Sequence, residues 1–197
     1  MERKTEMKRT LTRKLTFLAC GMVILGMIGC GEPMQIKSGD TYHLNYNFHY
    51  TTERGRRLGS VANFTKVADH KILPYGSPVK VKSWGSGFIL VDEKAGEEIN
   101  VLSRNRFLRG KSLEEYFDLI LSDTTVSYTG LSEIDKKGIS EGRPYKGMSK
   151  QGVMIALGYP CPYRTPSPDA DVWYYWKNRF ANYTVNFEND LVVSSGY

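Results

Sequence analysis

The sequence predicts an α+β fold, and three patterns carry that expectation. Aromatic residues alternate with polar ones from Tyr42 to Tyr50. Two serine-capped apolar stripes lie near 112–121 and 149–157. Three short strand patterns close the chain after Val172. Strands come first, then helices, then one helix and three strands, unlike the strict alternation of a parallel βαβ fold.

The first thirty residues stand apart from this pattern. Arg3, Lys4, Lys8, Arg9, Arg13 and Lys14 form a basic start, followed by apolar or small residues from 15 to 29, broken only by Thr16. A basic start, a short apolar core and small residues before a cut describe a secretory signal. The run is short beside the roughly 20 residues of a membrane-spanning helix. Met27-Ile28-Gly29-Cys30 resembles the lipobox of bacterial lipoprotein signals, with Met27 in place of the usual leucine. The resemblance implies cleavage before Cys30, lipid on Cys30, and a signal peptide spanning 1–29. Gly31 is not the aspartate tied to inner-membrane retention in enteric bacteria. The expected location is therefore the envelope, lipid-anchored, with the outer membrane facing the periplasm favoured over the inner membrane.

Cleavage changes the charge. The chain has 27 Lys+Arg against 21 Asp+Glu, but six of those bases and two of those acids precede Cys30. The remainder carries 21 against 19. Its balance gives no reason to expect a nucleic-acid partner, which calls for a clustered basic face. Lipid on Cys30 would leave Cys161, between Pro160 and Pro162, without a disulfide partner, and no zinc spacing is present.

Residues 30–41 read as the lipidated cysteine and a polar tether. In the first strand Tyr42, Leu44, Tyr46, Phe48 and Tyr50 share one face. His43, Asn45, Asn47 and His49 share the other, expected to be solvated. Arg54-Gly55-Arg56-Arg57 reads as a basic loop. Val79, Val81 and Ser83, then Gly87 to Val91, form two runs joined by Gly85-Ser86, a tight-hairpin pattern. Glu98 to Leu102 gives a third strand. The turn-then-strand run "ILPYGSPVKV" resembles the opening of a bacterial Src-homology-like barrel. That resemblance implies a small β-barrel-like module over 42–110.

Ser112 and Glu115 have capping-box spacing before the stripe Leu113, Phe117, Ile120 and Leu121. This helix and a linker fill 111–131. A second short helix starts after Ser132 and ends near Gly138. Ser149 caps a third, with Met148 and Val153 as its hydrophobic staple and Gly158 as its stop. The prolines of 159–170 cannot continue it. Strands follow at Val172–Lys177, Tyr183–Phe187 and Leu191–Ser194, with turn chemistry at Glu188-Asn189-Asp190.

The runs "GMSKQGVMIALGYP", "VWYYW" and "YTVNFENDLVV" resemble the BamE-like (SmpA/OmlA) lipoprotein domain over residues 132–197. The matching positions are Gly147, Met148, Ser149, Val153, Leu157, Gly158, Pro160, Trp173, Tyr175, Val185 and Phe187. The resemblance implies two helices packed on a three-stranded antiparallel sheet, and a Gram-negative envelope lipoprotein with a role in outer-membrane biogenesis.

Catalytic patterns fail on context. Gly138-Ile139-Ser140-Glu141-Gly142 matches G-x-S-x-G, but no buried strand precedes it and all three histidines lie before Ser140. His43 and His49 would lie about 20 Å apart on a flat strand, too far to share one metal. No cofactor, metal or catalytic group is expected. Trp173, Tyr174, Tyr175 and Trp176 show two rings to each face of a strand and form the candidate partner surface. The expected function is a non-enzymatic envelope scaffold or accessory for protein partners, held to a membrane by lipid. The alternative is a binder of peptidoglycan or another envelope polymer through the N-terminal β-rich region.

Overall fold

Period-two alternation puts successive side chains on opposite faces of a strand, and here most of the strands find antiparallel partners. The computed structural model describes residues 35–197, except 38, 85–86, 109–110 and 163. Eleven strands and four helices occur among them. In chain order they are β1 (Tyr42–Leu44), β2 (Phe48–Glu53), β3 (Arg56–Ser60), β4 (Lys71–Leu73), β5 (Pro78–Trp84), β6 (Gly87–Asp92) and β7 (Glu97–Leu102). Then come α1 (Asn105–Leu108), α2 (Leu113–Ile120), β8 (Leu121–Ser122), α3 (Glu133–Glu141) and α4 (Lys150–Leu157). β9 (Val172–Trp176), β10 (Asn182–Glu188) and β11 (Leu191–Ser195) end the chain.

The expected fold class is corrected. Strand occupies 35 % of the described residues against 19 % helix, so the described structure is mostly β. One curled sheet takes eight strands in the order β4-β2-β3-β7-β6-β5-β1-β8, and a second takes β11-β10-β9. With four helices beside these sheets, the α+β arrangement of a small barrel-like module followed by a BamE-like domain, two helices on three strands, does not describe it. The cause lies largely in residues 48–73. Inside the expected β-rich module, the sequence pattern marks only the strand ending at Tyr50 and a basic loop at Arg54–Arg57 before the turn-rich run from Ile72. Residues 48–73 form β2, β3 and β4 and widen the sheet. Arg54 and Gly55 both have positive φ, 50° and 74°, between the facing residues Glu53 and Arg56. That is the conformation of a two-residue hairpin turn. β3 then pairs in parallel with β7, joining this hairpin to the β5–β6–β7 meander.

Capping placed two helices well. Ser112 accepts from the Glu115 amide and Glu115 answers the Ser112 amide (2.6 Å), a reciprocal cap on α2. Ser149 accepts from the Gly152 amide at 2.9 Å and α4 stops at Gly158. α3 runs past Gly138 and closes at the left-handed Gly142, the stop that the BamE-like resemblance allowed beside Ile139. Asp135, 2 % exposed, ties the two helix starts together. One carboxylate oxygen accepts from the Ser132 amide and hydroxyl, the other from those of Ser149. Burial pushes this carboxyl up, but the four hydrogen bonds outweigh it and its pKa lies below the usual value.

Two cores form inside the compact unit Glu32–Tyr197. The first gathers Leu44, Phe48, Val79, Leu90, Val101 and Ile120. The second gathers Met148, Val153, Leu157, Trp173, Val185 and Phe187. The outer edges of the smaller sheet are covered. Cys161 and Thr65 amides donate to the Tyr174 and Trp176 carbonyls of β9, and Gly147 and Met148 bond Val192 of β11. Covered edges resist pairing with another chain.

Candidate functional site

Between the two cores runs a seam of buried polar side chains. Residues 45–47 break the first strand pattern, and beyond the break the expected solvated face turns inward. Asn47 and His49 are each 1 % exposed. This corrects the reading of that face as solvated. Asn47 donates through Nδ2 to the Ile139 carbonyl (2.6 Å) and accepts at Oδ1 from the Tyr75 amide (3.0 Å). Asn63 donates to the carbonyls of Asn47 (3.0 Å) and Leu157 (2.8 Å), and accepts from the His49 amide (2.8 Å). Two asparagines thus supply side-chain donors to carbonyls in the last turns of α3 and α4, at Ile139 beside the Gly142 amide and at Leu157.

His49 completes the seam. Its Nε2 lies 2.8 Å from the Ala156 carbonyl, which only accepts, so Nε2 carries the hydrogen. Its Nδ1 is therefore bare and accepts from Nε2 of His70 at 2.6 Å. The His49 pKa is lowered to about 3: burial is the main cause, the Ala156 carbonyl pulls it back up in part, and the His70 imidazole adds a smaller downward push. Burial also lowers His70. Two glycines admit this packing. A side chain on Gly158, at φ 79°, would strike Tyr46 and Asn63, and one on Gly142, at φ 60°, would strike Ile72 and His49.

One side of the seam opens into a groove of about 590 Å³, with His49 on its wall. β2 and β3, the segment 64–68 and the β9–β10 turn enclose it. Tyr50, Ser60 and Phe64 line it, with Lys66, Arg179 and Phe180 at the rim. Phe180 is 80 % exposed. A second cavity, about 680 Å³, lies beside Met154 and Asp169, but its cation Lys150 is already bonded to Asp190 at 2.8 Å.

The residues singled out in the sequence are scattered. Cys30 lies outside the described residues. Trp173 and Tyr175 are 1 % and 3 % exposed and belong to the second core. Tyr174 and Trp176 are half-buried on the other face, Tyr174 under Arg164 and Trp176 edge-on to Phe107 at 5.3 Å. Phe107 in turn meets Phe64 at 5.5 Å, so Trp176 reaches the groove wall through one ring. Ser140 sits in the last turn of α3, not in a loop, and its hydroxyl donates to the Lys137 carbonyl at 2.9 Å. Cys161 is buried and free. His43 and His49 are not brought together with a third ligand: among the described residues, no group of three His, Cys, Asp or Glu could hold a metal. No described helix is long and apolar enough to cross a membrane.

The groove itself was missed. Its signal was faint: Arg179-Phe180 lies in a short interval between two strongly patterned strands, where a large apolar residue has no packing role along either strand. No family model, curated protein or solved structure matches the chain.

Proposed function

We propose that this chain is a non-enzymatic envelope lipoprotein, anchored through Cys30, that acts as a scaffold or accessory for protein partners through the groove beside Phe180. The observation that carries the reading is the pairing of an open cavity of about 590 Å³ with a phenylalanine left 80 % exposed at its rim. Leu102, 38 % exposed, lines the same groove, and grouped exposed apolar side chains with a polar surround mark contact surfaces. The imidazole on the groove wall also argues for binding rather than chemistry. His49 has both ring nitrogens engaged, one by Ala156 and one by His70, so neither is free to move a substrate proton.

The sequence supports the anchor: a basic start, a short apolar run and Gly29-Cys30. Cys30→Ser should abolish lipid labelling and release the chain from membranes. Normal labelling of that variant would remove the anchor from the proposal. The scaffold role is tested by a photo-crosslinking residue placed at Asn178, on the groove, in intact cells. A reproducible envelope protein captured there, and not from the same group at Lys146, supports the reading. Recovery of uncrosslinked monomer from both positions rejects it. Sedimentation with purified cell-wall sacculi separates this role from polymer binding.

A further inference from the structure

We propose that the groove receives an extended acidic peptide segment of a partner protein, with one apolar side chain lodged between Phe64 and Phe180. The inference rests on the groove being a protein contact surface, and it adds the chemistry of what binds.

The rim sets the charge. Lys66 and Arg179 line the groove, and Glu53 is the one acid among its lining residues. Lys177 and Arg106 stand beside it: the Lys177 carbonyl accepts from the Lys66 amide, and Arg106 lies over Phe107, whose ring meets Phe64. Each of the four cations lies over an aromatic ring, at 4.5 to 5.8 Å from its centroid: Lys66 over Tyr197, Lys177 over Tyr183, Arg106 over Phe107, Arg179 over Phe180. None of them pairs with a carboxylate in the described structure, whereas Arg57, Lys80, Lys82 and Lys150 all do. Two cations line the groove against one acid, and two more basic residues flank the elements that form it, a balance that attracts an anion and disfavours a basic segment.

Shape selects the kind of anion. A bilayer surface is broad and meets convex tips, while this site is a cleft whose wall includes residues as deep as His49 and Ser60, 1 % and 5 % exposed. A narrow chain can enter where a lipid surface cannot. The apolar lining of Phe64, Leu58 and Val67, with Leu102 38 % exposed, gives an anchor side chain a place to be buried. Strand addition is not the mode of entry at the smaller sheet, since backbone groups already cover both of its edges. The lining side chains supply charge at Lys66 and Arg179 and an apolar seat at Phe64 and Leu58, which favours recognition by charge and one anchor.

The test uses the full-length protein in detergent micelles and a displayed library of random twelve-residue peptides. Selected peptides should be rich in Asp and Glu with an aromatic or aliphatic residue among them. Raising the salt severalfold should weaken them about tenfold, as for rim charges within a Debye length. Lys66→Glu with Arg179→Glu should weaken binding by about tenfold or more, and Phe180→Ser by about fivefold. Lys146→Glu, outside the groove, should leave it unchanged. Arg179→Glu alone, an exposed change, guards against a folding defect in the double variant. No enrichment, neutral or basic winners, or equal binding by the groove variants would overturn the proposal. So would a blue-shifted emission of Phe180→Trp in phosphatidylglycerol proteoliposomes without peptide, which would assign the turn to lipid. If Asn178 still crosslinks to an envelope protein while acidic peptides fail, the scaffold reading survives and this one falls.

Discussion

β2 and β10 have similar alternating sequences and opposite fates. In β10, Tyr183, Val185 and Phe187 point into the second core, while Thr184 and Asn186 stay half-exposed. In β2 and the residues before it, the apolar face is just as buried, at Phe48 and Tyr50, but Asn47 and His49 on the other face are buried too. The difference is what lies across from the polar face. β10 presents Asn186 to Ser194 of its neighbour strand near solvent. The 47–49 segment presents its polar groups to last-turn carbonyls of α3 and α4, Asn47 to Ile139 and His49 to Ala156. A buried helix end needs donors, and here asparagine and histidine supply them. The same residue type is therefore decoration in one strand and joinery in the other.

The sharpest way to break the comparison is to cut the same side chain from both places. Asn47→Ala leaves the Tyr75 amide without its partner and strips the Ile139 carbonyl of its shorter hydrogen bond, leaving it only the Gly142 amide at 3.2 Å, and should lower stability by about 2 kcal/mol. Asn186→Ala should change it by no more than about 0.5 kcal/mol. Urea unfolding measures both, and equal losses would dissolve the distinction.

The next largest effect is in pH. His49 has a folded pKa of about 3, below its ordinary 6.5, so the unfolded chain binds more protons between those values. Its contribution is fully present above about pH 6.5 and is lost as pH falls toward 3. Taking the protein from pH 7 to pH 5 should cost about 2 kcal/mol from this group. His49→Gln should be less stable at pH 7 but should show a flatter profile. An unchanged slope in that variant would place the titration elsewhere.

A smaller effect compares two caps. Ser149 lies against Asp135, while Ser112 is exposed at the start of α2. Ser149→Ala should cost about 2 kcal/mol and Ser112→Ala about 1 kcal/mol. Thermal unfolding decides the order, and a larger loss at Ser112 would reverse it.

Helix ends were legible because their causes are local. Ser112, Ser149 and Gly158 act on amides and carbonyls within a few residues, so spacing alone reveals them. The β5–β6–β7 meander was legible for the same reason, with short turns between runs of period two. β3 was not. Its sequence, Arg56-Arg57-Leu58-Gly59-Ser60, lacks alternation, and it becomes a strand because β2 and β7 flank it. The groove was hidden for a related reason: its walls come from residues 49–68, 102 and 178–180, which no window along the chain contains.

By itself the sequence determined the capped helices, the hairpin strands, the sorting of Trp173 and Tyr175 to one face, and the lipobox-like Gly29-Cys30 from which the anchor is proposed. Each depends on neighbours a few positions away. Only the tertiary structure decided that eight strands share one sheet, that Asn47 and His49 turn inward, and that Phe180 is left beside an open cleft. Those outcomes depend on which backbone groups meet across distances of up to about a hundred residues, as where Asn47 reaches Ile139 and Asn63 reaches Leu157. Periodicity says which face of a strand is apolar, and only packing says what covers the other.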